Sequence, residues 1–116
     1  MADRPQEFME VQCDGGEAVV KMHGRIGAAE ASRLSRDLVA LCEAGAVRLV
    51  VDISDVPLMG SAALGSFMVA LRETRKKGGY VRLAGAQPLV RQVLETTKLT
   101  KLFDLYDSVE QARGGQ

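Results

Sequence analysis

Residues 47–53 read Val-Arg-Leu-Val-Val-Asp-Ile, and this stretch limits the fold more narrowly than any other part of the sequence. The run is almost continuously apolar and rich in β-branched side chains, which is typical of a strand covered on both faces. Strands of this kind belong to parallel sheets, whose neighbouring strands are joined through helices. We therefore predict an α/β fold with this strand at the centre of the sheet, and we expect residues 54–57 (Ser-Asp-Val-Pro) to end it.

The sequence before the central strand predicts a hairpin followed by a helix. Residues 8–13 alternate between apolar and polar side chains, as a half-buried strand does, and a turn at 14–16 leads to a second strand at 18–22. From Ala28 the apolar period becomes helical, and Gly45 is placed to cap the helix at its C-terminus. The predicted apolar stripe of this helix consists of Ala31, Leu34, Leu38, Leu41 and Cys42.

The sequence after the central strand predicts further alternation of helices and strands. A second helix is expected over 61–77, a strand over 80–84, a third helix from Pro88, a short strand at 105–106, and a last helix begun by a capping box of Ser108 and Gln111. The side chains expected to face inward are Leu64, Phe67, Met68 and Leu71 on the second helix and Val90, Val93, Leu94 and Thr97 on the third. The order is β-β-α-β-α-β-α-β-α, which predicts one α/β domain over 1–116 with a mixed sheet, a core at about 7–112 and frayed ends that include residues 114–116.

Composition excludes several classes of protein. The 116 residues carry 15 basic and 15 acidic side chains, so the formal net charge is zero. This balance gives no electrostatic reason to expect nucleic acid or an anionic membrane as a partner. The longest nearly apolar run, residues 62–71, is too short to span a bilayer, and the polar first residues do not resemble a signal peptide. We expect a cytoplasmic domain with no membrane insertion.

Few residues could support cofactor or metal chemistry. Cys13 and Cys42 are too few and too far apart for a disulfide framework or a zinc site, and both are predicted to lie in the core. His23 is the only imidazole and is interpreted as a structural or solvated side chain. Asp52 and Asp55 lie at the end of the central strand, where functional groups are common, but turn and cap roles fit them better. Because no base, nucleophile and oxyanion donor can be assembled, we expect neither an enzyme nor a bound cofactor or metal.

Three further patterns have ordinary explanations. Residues 60–66 have the spacing of a P-loop but carry Ser66 where the phosphate-binding Lys belongs. Residues 24–27 match the GxxG of a KH domain but follow a strand instead of joining two helices. A basic cluster at the end of the second helix complements the helix dipole, although an acidic partner is an alternative. The cluster consists of Arg72, Arg75, Lys76 and Lys77.

The junction between the central strand and the second helix is the best candidate for a functional surface. Small residues at the helix start would let another backbone pass closely, Ser61 is placed to cap the helix, and Leu58 and Met59 belong to neither element and would be exposed. We predict a docking surface for a protein partner, with a plain connecting loop as the alternative. The predicted contact residues are Leu58, Met59, Gly60, Ser61, Ala62, Ala63 and Leu64.

Five segments together resemble the STAS domain family, which includes bacterial anti-sigma factor antagonists and the cytosolic tails of sulfate transporters. The segments are residues 49–56, 59–65, 77–83, 90–95 and 102–112. The resemblance implies that the protein binds an anti-sigma factor, often a GHKL-type serine kinase, and so releases a sigma factor. It also implies that self-association into a homodimer can occur, and that the kinase ends the complex by phosphorylating a Ser or Thr at the start of the second helix.

The sequence departs from the family at that phosphorylation site. The common pattern is Asp-Ser-Ser/Thr-Gly, and the aligned residues are Gly60, Ser61, Ala62 and Ala63, so an alanine stands where the acceptor belongs. A second departure is Gly27, where many antagonists have Asp. Three hypotheses follow: binding without the phosphoswitch, which we favour; phosphorylation of Ser61 instead; or a role as a transporter accessory subunit or signalling scaffold.

Overall fold

The computed structural model describes residues 8–114, and within them the elements follow the predicted order. The predicted frayed ends lie outside these residues, except for Gly114, which is the last residue of a helix. The elements are β1 (Met9–Asp14), β2 (Glu17–His23), α1 (Ala28–Glu43), β3 (Arg48–Asp55), α2 (Ser61–Lys76), β4 (Tyr80–Ala84), α3 (Pro88–Thr96), a 3-10 turn (Leu99–Lys101), β5 (Asp104–Tyr106) and α4 (Val109–Gly114).

Within residues 8–114, five strands form one mixed sheet in the order β1-β2-β3-β4-β5. β1 is antiparallel to β2, and the remaining neighbours are parallel. The prediction that β3 lies at the centre is confirmed. The prediction that Ser54 and Asp55 break the strand is wrong, because a register shift in β2 lets His23 pair with Asp55 and extends the ladder.

The two faces of β3 lie in separate apolar clusters, which explains its continuous apolar run. Leu49 and Val51 pack into the main core with residues of α1, α2 and α3, whereas Val50 packs on the opposite face with Ala112 of α4. In the main core the rings of Phe67 and Phe103 meet edge to face with centroids 6.2 Å apart. The described part of the chain therefore has α1, α2 and α3 on one face of the sheet and α4 on the other.

Two predicted inward positions on the helices are wrong. Met68 is 37% exposed, because each helical residue turns by about 100° and Phe67 already occupies the middle of the buried face. Thr97 is exposed at the C-cap of α3 instead of lying inside the helix. The remaining predicted residues of both helices, and the stripe of α1, are buried or half-buried.

The two cysteines differ in environment. Cys42 is buried on α1 as predicted, but the prediction of a core position for Cys13 is wrong, since its side chain is exposed. Cys13 lies on β1, the outermost strand, and faces the same side of the sheet as Ala18 of β2. Val11, one position along the same face, is also exposed. β1 therefore lies at the edge of the core: Met9 packs against the core, whereas Val11 and Cys13 are exposed.

Candidate functional site

The loop between β3 and α2 is fixed by the neighbouring loop between β2 and α1. Ile26 and Met59 form a parallel β-bridge, and the amide of Ile26 donates a 3.4 Å hydrogen bond to the carbonyl of Leu58. The side chains of Ile26 and Met59 are both buried in the main core. These contacts hold the start of α2 in a defined position, at the edge of the sheet formed by the C-terminal ends of β2 and β3.

The polar residues at the same edge are engaged in local structure. His23 Nδ1 lies 2.9 Å from Asp55 Oδ2, and its Nε2 lies 3.4 Å from Glu10 Oε2, an ion-pair distance when the ring is protonated. The backbone also joins the strand ends, since the Gly24 amide donates to the Asp55 carbonyl at 3.0 Å. Asp52 accepts a hydrogen bond from the Ser54 amide. These contacts support the interpretation of His23, Asp52 and Asp55 as structural residues.

The predicted contact residues divide into an exposed set and a buried set. Leu58 is 45% exposed, as expected. The expectation that Met59 is an exposed apolar contact is wrong, because it is only 4% exposed and belongs to the core. Ala63 and Leu64 are also buried, since helix α2 turns them toward the sheet. The exposed set is Leu58, Gly60, Ser61 and Ala62, which we call the α2-start surface.

Ser61 does not cap α2, contrary to the sequence-based expectation. The N-cap is Gly60, with extended backbone dihedrals and no side-chain hydrogen bond, and Ser61 is the first helical residue. The structure starts the helix one residue earlier because the Gly60 carbonyl already accepts the amides of Ala63 and Leu64. Ser61 is exposed, and within residues 8–114 its hydroxyl therefore has no capping role at α2.

A shallow groove of about 390 Å³ adjoins the α2-start surface and lies along the line where α1 and α2 meet. Its walls are mostly small side chains, so a partner backbone could approach both helices closely. Sequence analysis missed the wall provided by α1. Small residues four apart, Ala28 and Ser32, were the available signal, but they resemble an ordinary helix face. The lining residues of this helix-pair groove are Ala28, Ala31, Ser32, Ser35, Ala62, Gly65, Ser66 and Val69.

Residues 8–114 contain neither a candidate metal-binding cluster nor a candidate membrane-spanning helix. No cluster of three or more His, Cys, Asp or Glu side chains within residues 8–114 could hold a metal ion. In the same part of the chain no helix has the length and apolar character needed to cross a membrane.

Together these features define an α/β domain whose mixed sheet presents a helix start at the C-terminal edge of its central strands. Residues 8–112 match the family model of the STAS domain. The chain belongs to the STAS domain family, as its resemblance to that family predicted.

Three proteins illustrate what the chain is similar to. It is 29% identical over 107 residues to the anti-sigma-B factor antagonist of Bacillus subtilis, covering 92% of this chain and 94% of the relative. The crystal structure of an anti-sigma factor antagonist from Mycobacterium paratuberculosis matches with a TM-score of 0.83 and 25% identity, over 98% of this chain and 97% of that one. A sulfate transporter family protein from Wolinella succinogenes shares the fold, with a TM-score of 0.72, 15% identity, and coverage of 84% and 81%.

Proposed function

We propose that this protein is a bacterial, cytoplasmic anti-sigma factor antagonist that binds an anti-sigma factor through the α2-start surface and catalyses no reaction. The observation that carries the proposal is the exposed start of α2 in a chain whose relatives include the anti-sigma-B factor antagonist of Bacillus subtilis. Release of a sigma factor follows if the partner cannot hold both proteins at once.

The geometry of the α2-start surface suits a closely packed protein interface. Gly60 and Ala62 are exposed and present almost no side chain, so a partner backbone can come near the helix. The helix-pair groove continues this small-residue surface at Gly65. Leu58 beside it is 45% exposed and offers an apolar anchor, and burying that exposed part contributes roughly half of the about 1.5–3 kcal/mol of full burial.

We further propose that binding is not ended by phosphorylation at the position the family uses. The ungapped alignment with the family's pattern assigns that position to Ala62, which has no hydroxyl group. The neighbouring Ser61 is exposed, but a shift of one residue on a helix turns a side chain by about 100°. A kinase that recognises the usual acceptor would then meet the Ser61 hydroxyl in the wrong direction.

A second role is an accessory subunit of a membrane transporter or a scaffold in a signalling assembly. The shared fold with the Wolinella succinogenes transporter family protein motivates it, although the match extends to the fold alone. Genes for a GHKL-type serine kinase or a sigma factor beside the coding sequence would favour the antagonist role. Transporter genes in that position would favour the second.

The decisive experiment measures affinity for the neighbouring anti-sigma factor by calorimetry. Ala62→Glu is expected to weaken binding at least tenfold, about 1.4 kcal/mol, because it places bulk and charge in the contact. The matched control is Ala40→Glu, an exposed alanine on α1 that lies outside the α2-start surface and the helix-pair groove. Equal affinity of the Ala62→Glu variant and the native protein would refute the proposed surface, and absence of any binding to the anti-sigma factor would refute the antagonist role.

A further inference from the structure

We propose that the C-terminal half of α2 carries a second binding surface, one that takes an acidic amphipathic helix of a protein partner. The surface is a groove of about 480 Å³ between α2 and the residue that follows the 3-10 turn, and it is separate from the α2-start surface. We call it the basic groove. It is lined by Met68, Leu71, Arg72, Arg75, Lys76 and Leu102.

The floor of the basic groove is apolar and accessible. Met68 and Leu102 are each 37% exposed, although they come from different elements, and Leu71 closes the base between them. Large exposed apolar side chains are ordinary when they are scattered singly over a surface. Here two of them share one depression, which a partner's apolar stripe can fill.

The rim of the basic groove carries positive charge that the chain itself does not neutralise. Within residues 8–114 neither Arg72 nor Arg75 has an ion pair or a hydrogen-bonded carboxylate, whereas Lys76 lies 3.4 Å from Glu73. Lys77 is turned away, since its Nζ donates to the Cys42 carbonyl at the end of α1. The helix dipole accounts for cations in the last turn, Arg75 and Lys76, but not for Arg72, which precedes that turn.

The pattern of charge and shape selects the class of partner. Arg72 and Arg75 are three residues apart, so both lie on one side of α2 and can hold carboxylates that are one turn apart on a facing helix. The lining contains no aromatic residue to receive a proline-rich segment and no strand edge to pair with an extended peptide. A partner helix with a leucine stripe flanked by glutamates meets both requirements. Its leucines would pack on the apolar floor, and its glutamates would pair with the arginines of the rim.

The test uses a fluorescein-labelled helical peptide of about 18 residues, with a leucine stripe flanked by glutamates, and measures fluorescence anisotropy. Two control peptides keep the length: one has the same composition with the stripe scrambled, and the other has lysine in place of glutamate. The native protein should bind the acidic amphipathic peptide at least about tenfold more tightly than either control, and added salt should weaken that binding.

Variants locate the binding on the groove. Replacing both arginines (Arg72→Ala with Arg75→Ala), or Leu102→Ser alone, should weaken the peptide complex at least about tenfold. The matched control replaces two arginines of α1, Arg33→Ala with Arg36→Ala, and should leave affinity within about twofold. Circular dichroism confirms that each variant is folded. Ala62→Glu should not affect the peptide, which separates this proposal from the α2-start surface.

Two results would overturn the proposal. One is unchanged peptide affinity in the folded Arg72→Ala, Arg75→Ala variant. The other is binding to phosphatidylserine vesicles that depends on the two arginines, combined with no preference for the acidic peptide, which would assign the groove to a membrane surface instead.

Discussion

The Ser66 hydroxyl of α2 donates a 2.7 Å hydrogen bond to the backbone carbonyl of Ala31 on α1. The same oxygen accepts a 3.0 Å hydrogen bond from the Ser35 hydroxyl, so one buried side chain links two positions of the neighbouring helix. This link lies at the base of the helix-pair groove and next to the α2-start surface. Ser66, which occupies the lysine position of a P-loop spacing, thus acts as a small polar contact that sets how closely α1 and α2 pack.

Replacing Ser66 with alanine should lower the free energy of unfolding by about 1–2 kcal/mol, because a buried hydrogen bond is lost while the Ser35 hydroxyl loses its acceptor. Urea unfolding monitored by circular dichroism measures the change. Ser32→Ala is the control, since Ser32 is exposed on the same helix pair, and it should change stability by less than about 0.5 kcal/mol. Equal effects of the two substitutions would contradict the role assigned to Ser66.

Leu58 and Met59 are adjacent, and their substitutions should have opposite consequences. Met59→Ala removes a buried side chain from the main core and should cost about 2–4 kcal/mol of stability. Leu58→Ala should lower stability by less than about 1 kcal/mol and instead weaken binding of the anti-sigma factor, because Leu58 is 45% exposed and lies outside the core. Thermal unfolding and calorimetric binding, run on both variants, check the pair. A destabilised Leu58→Ala variant with native affinity would contradict the division into exposed and buried residues.

The contrast between these two residues shows where sequence reasoning succeeds. The central position of β3 could be predicted because a continuous apolar run requires cover on both faces, and Val50 and Val51 do pack on opposite sides. The burial of Met59 could not be predicted, because it depends on a β-bridge to Ile26. That residue is distant in sequence and lies outside the regular strands and helices. The periodicity of apolar residues predicts helices and strands, because their structure follows from the local sequence. The burial of a loop residue instead depends on a few contacts with residues distant in sequence.

The exposure of Cys13 and Met68 has a similar origin. A strand has the same alternating pattern whether it lies inside a sheet or at its edge. The pattern in β1 therefore could not reveal that Cys13 is exposed on an edge strand. On α2 the small residues Ala63 and Ala70 are buried, and Met68, a larger apolar residue, is not. Reliance on large apolar residues therefore placed Met68 wrongly on the inward face of α2, whereas Leu64, Phe67 and Leu71 are buried as predicted. The α1 wall of the helix-pair groove was missed for the same reason, because its residues are small.

Gly79 follows α2 at a point where no side chain fits. A Cβ atom there would overlap the Val47 carbonyl oxygen, the acceptor for the Tyr80 amide that begins the pairing of β4 with β3. Gly79→Ala should therefore cost about 3–5 kcal/mol or prevent folding. Gly78→Ala, which meets no atom but must adopt a φ of 78°, should cost only about 1–2 kcal/mol. Urea midpoints give the comparison, and a smaller loss at Gly79 than at Gly78 would contradict it.

Introducing a hydroxyl at position 62 should create a phosphorylation site, if Ala62 occupies the family's acceptor position as we propose. Ala62 is exposed in the first turn of α2, so Ala62→Ser should fold normally and present its hydroxyl where the family's acceptor is expected. Incubation with ATP and the GHKL-type serine kinase encoded beside the gene, followed by mass spectrometry of peptides, should show phosphate on the Ala62→Ser variant and none on the native protein.

Two control variants and a binding measurement make that outcome specific. Ser61→Ala combined with Ala62→Ser should remain labelled, which assigns the phosphate to position 62, and Gly65→Ser, an exposed position one turn further along α2, should stay unlabelled. The labelled variant should bind the anti-sigma factor at least tenfold more weakly, because a phosphate adds about −1.5 to −2 charges to a close-packed interface. Phosphate on Ser61 of the native protein would contradict the prediction. It would show that the phosphorylation switch is retained, with the acceptor one residue earlier.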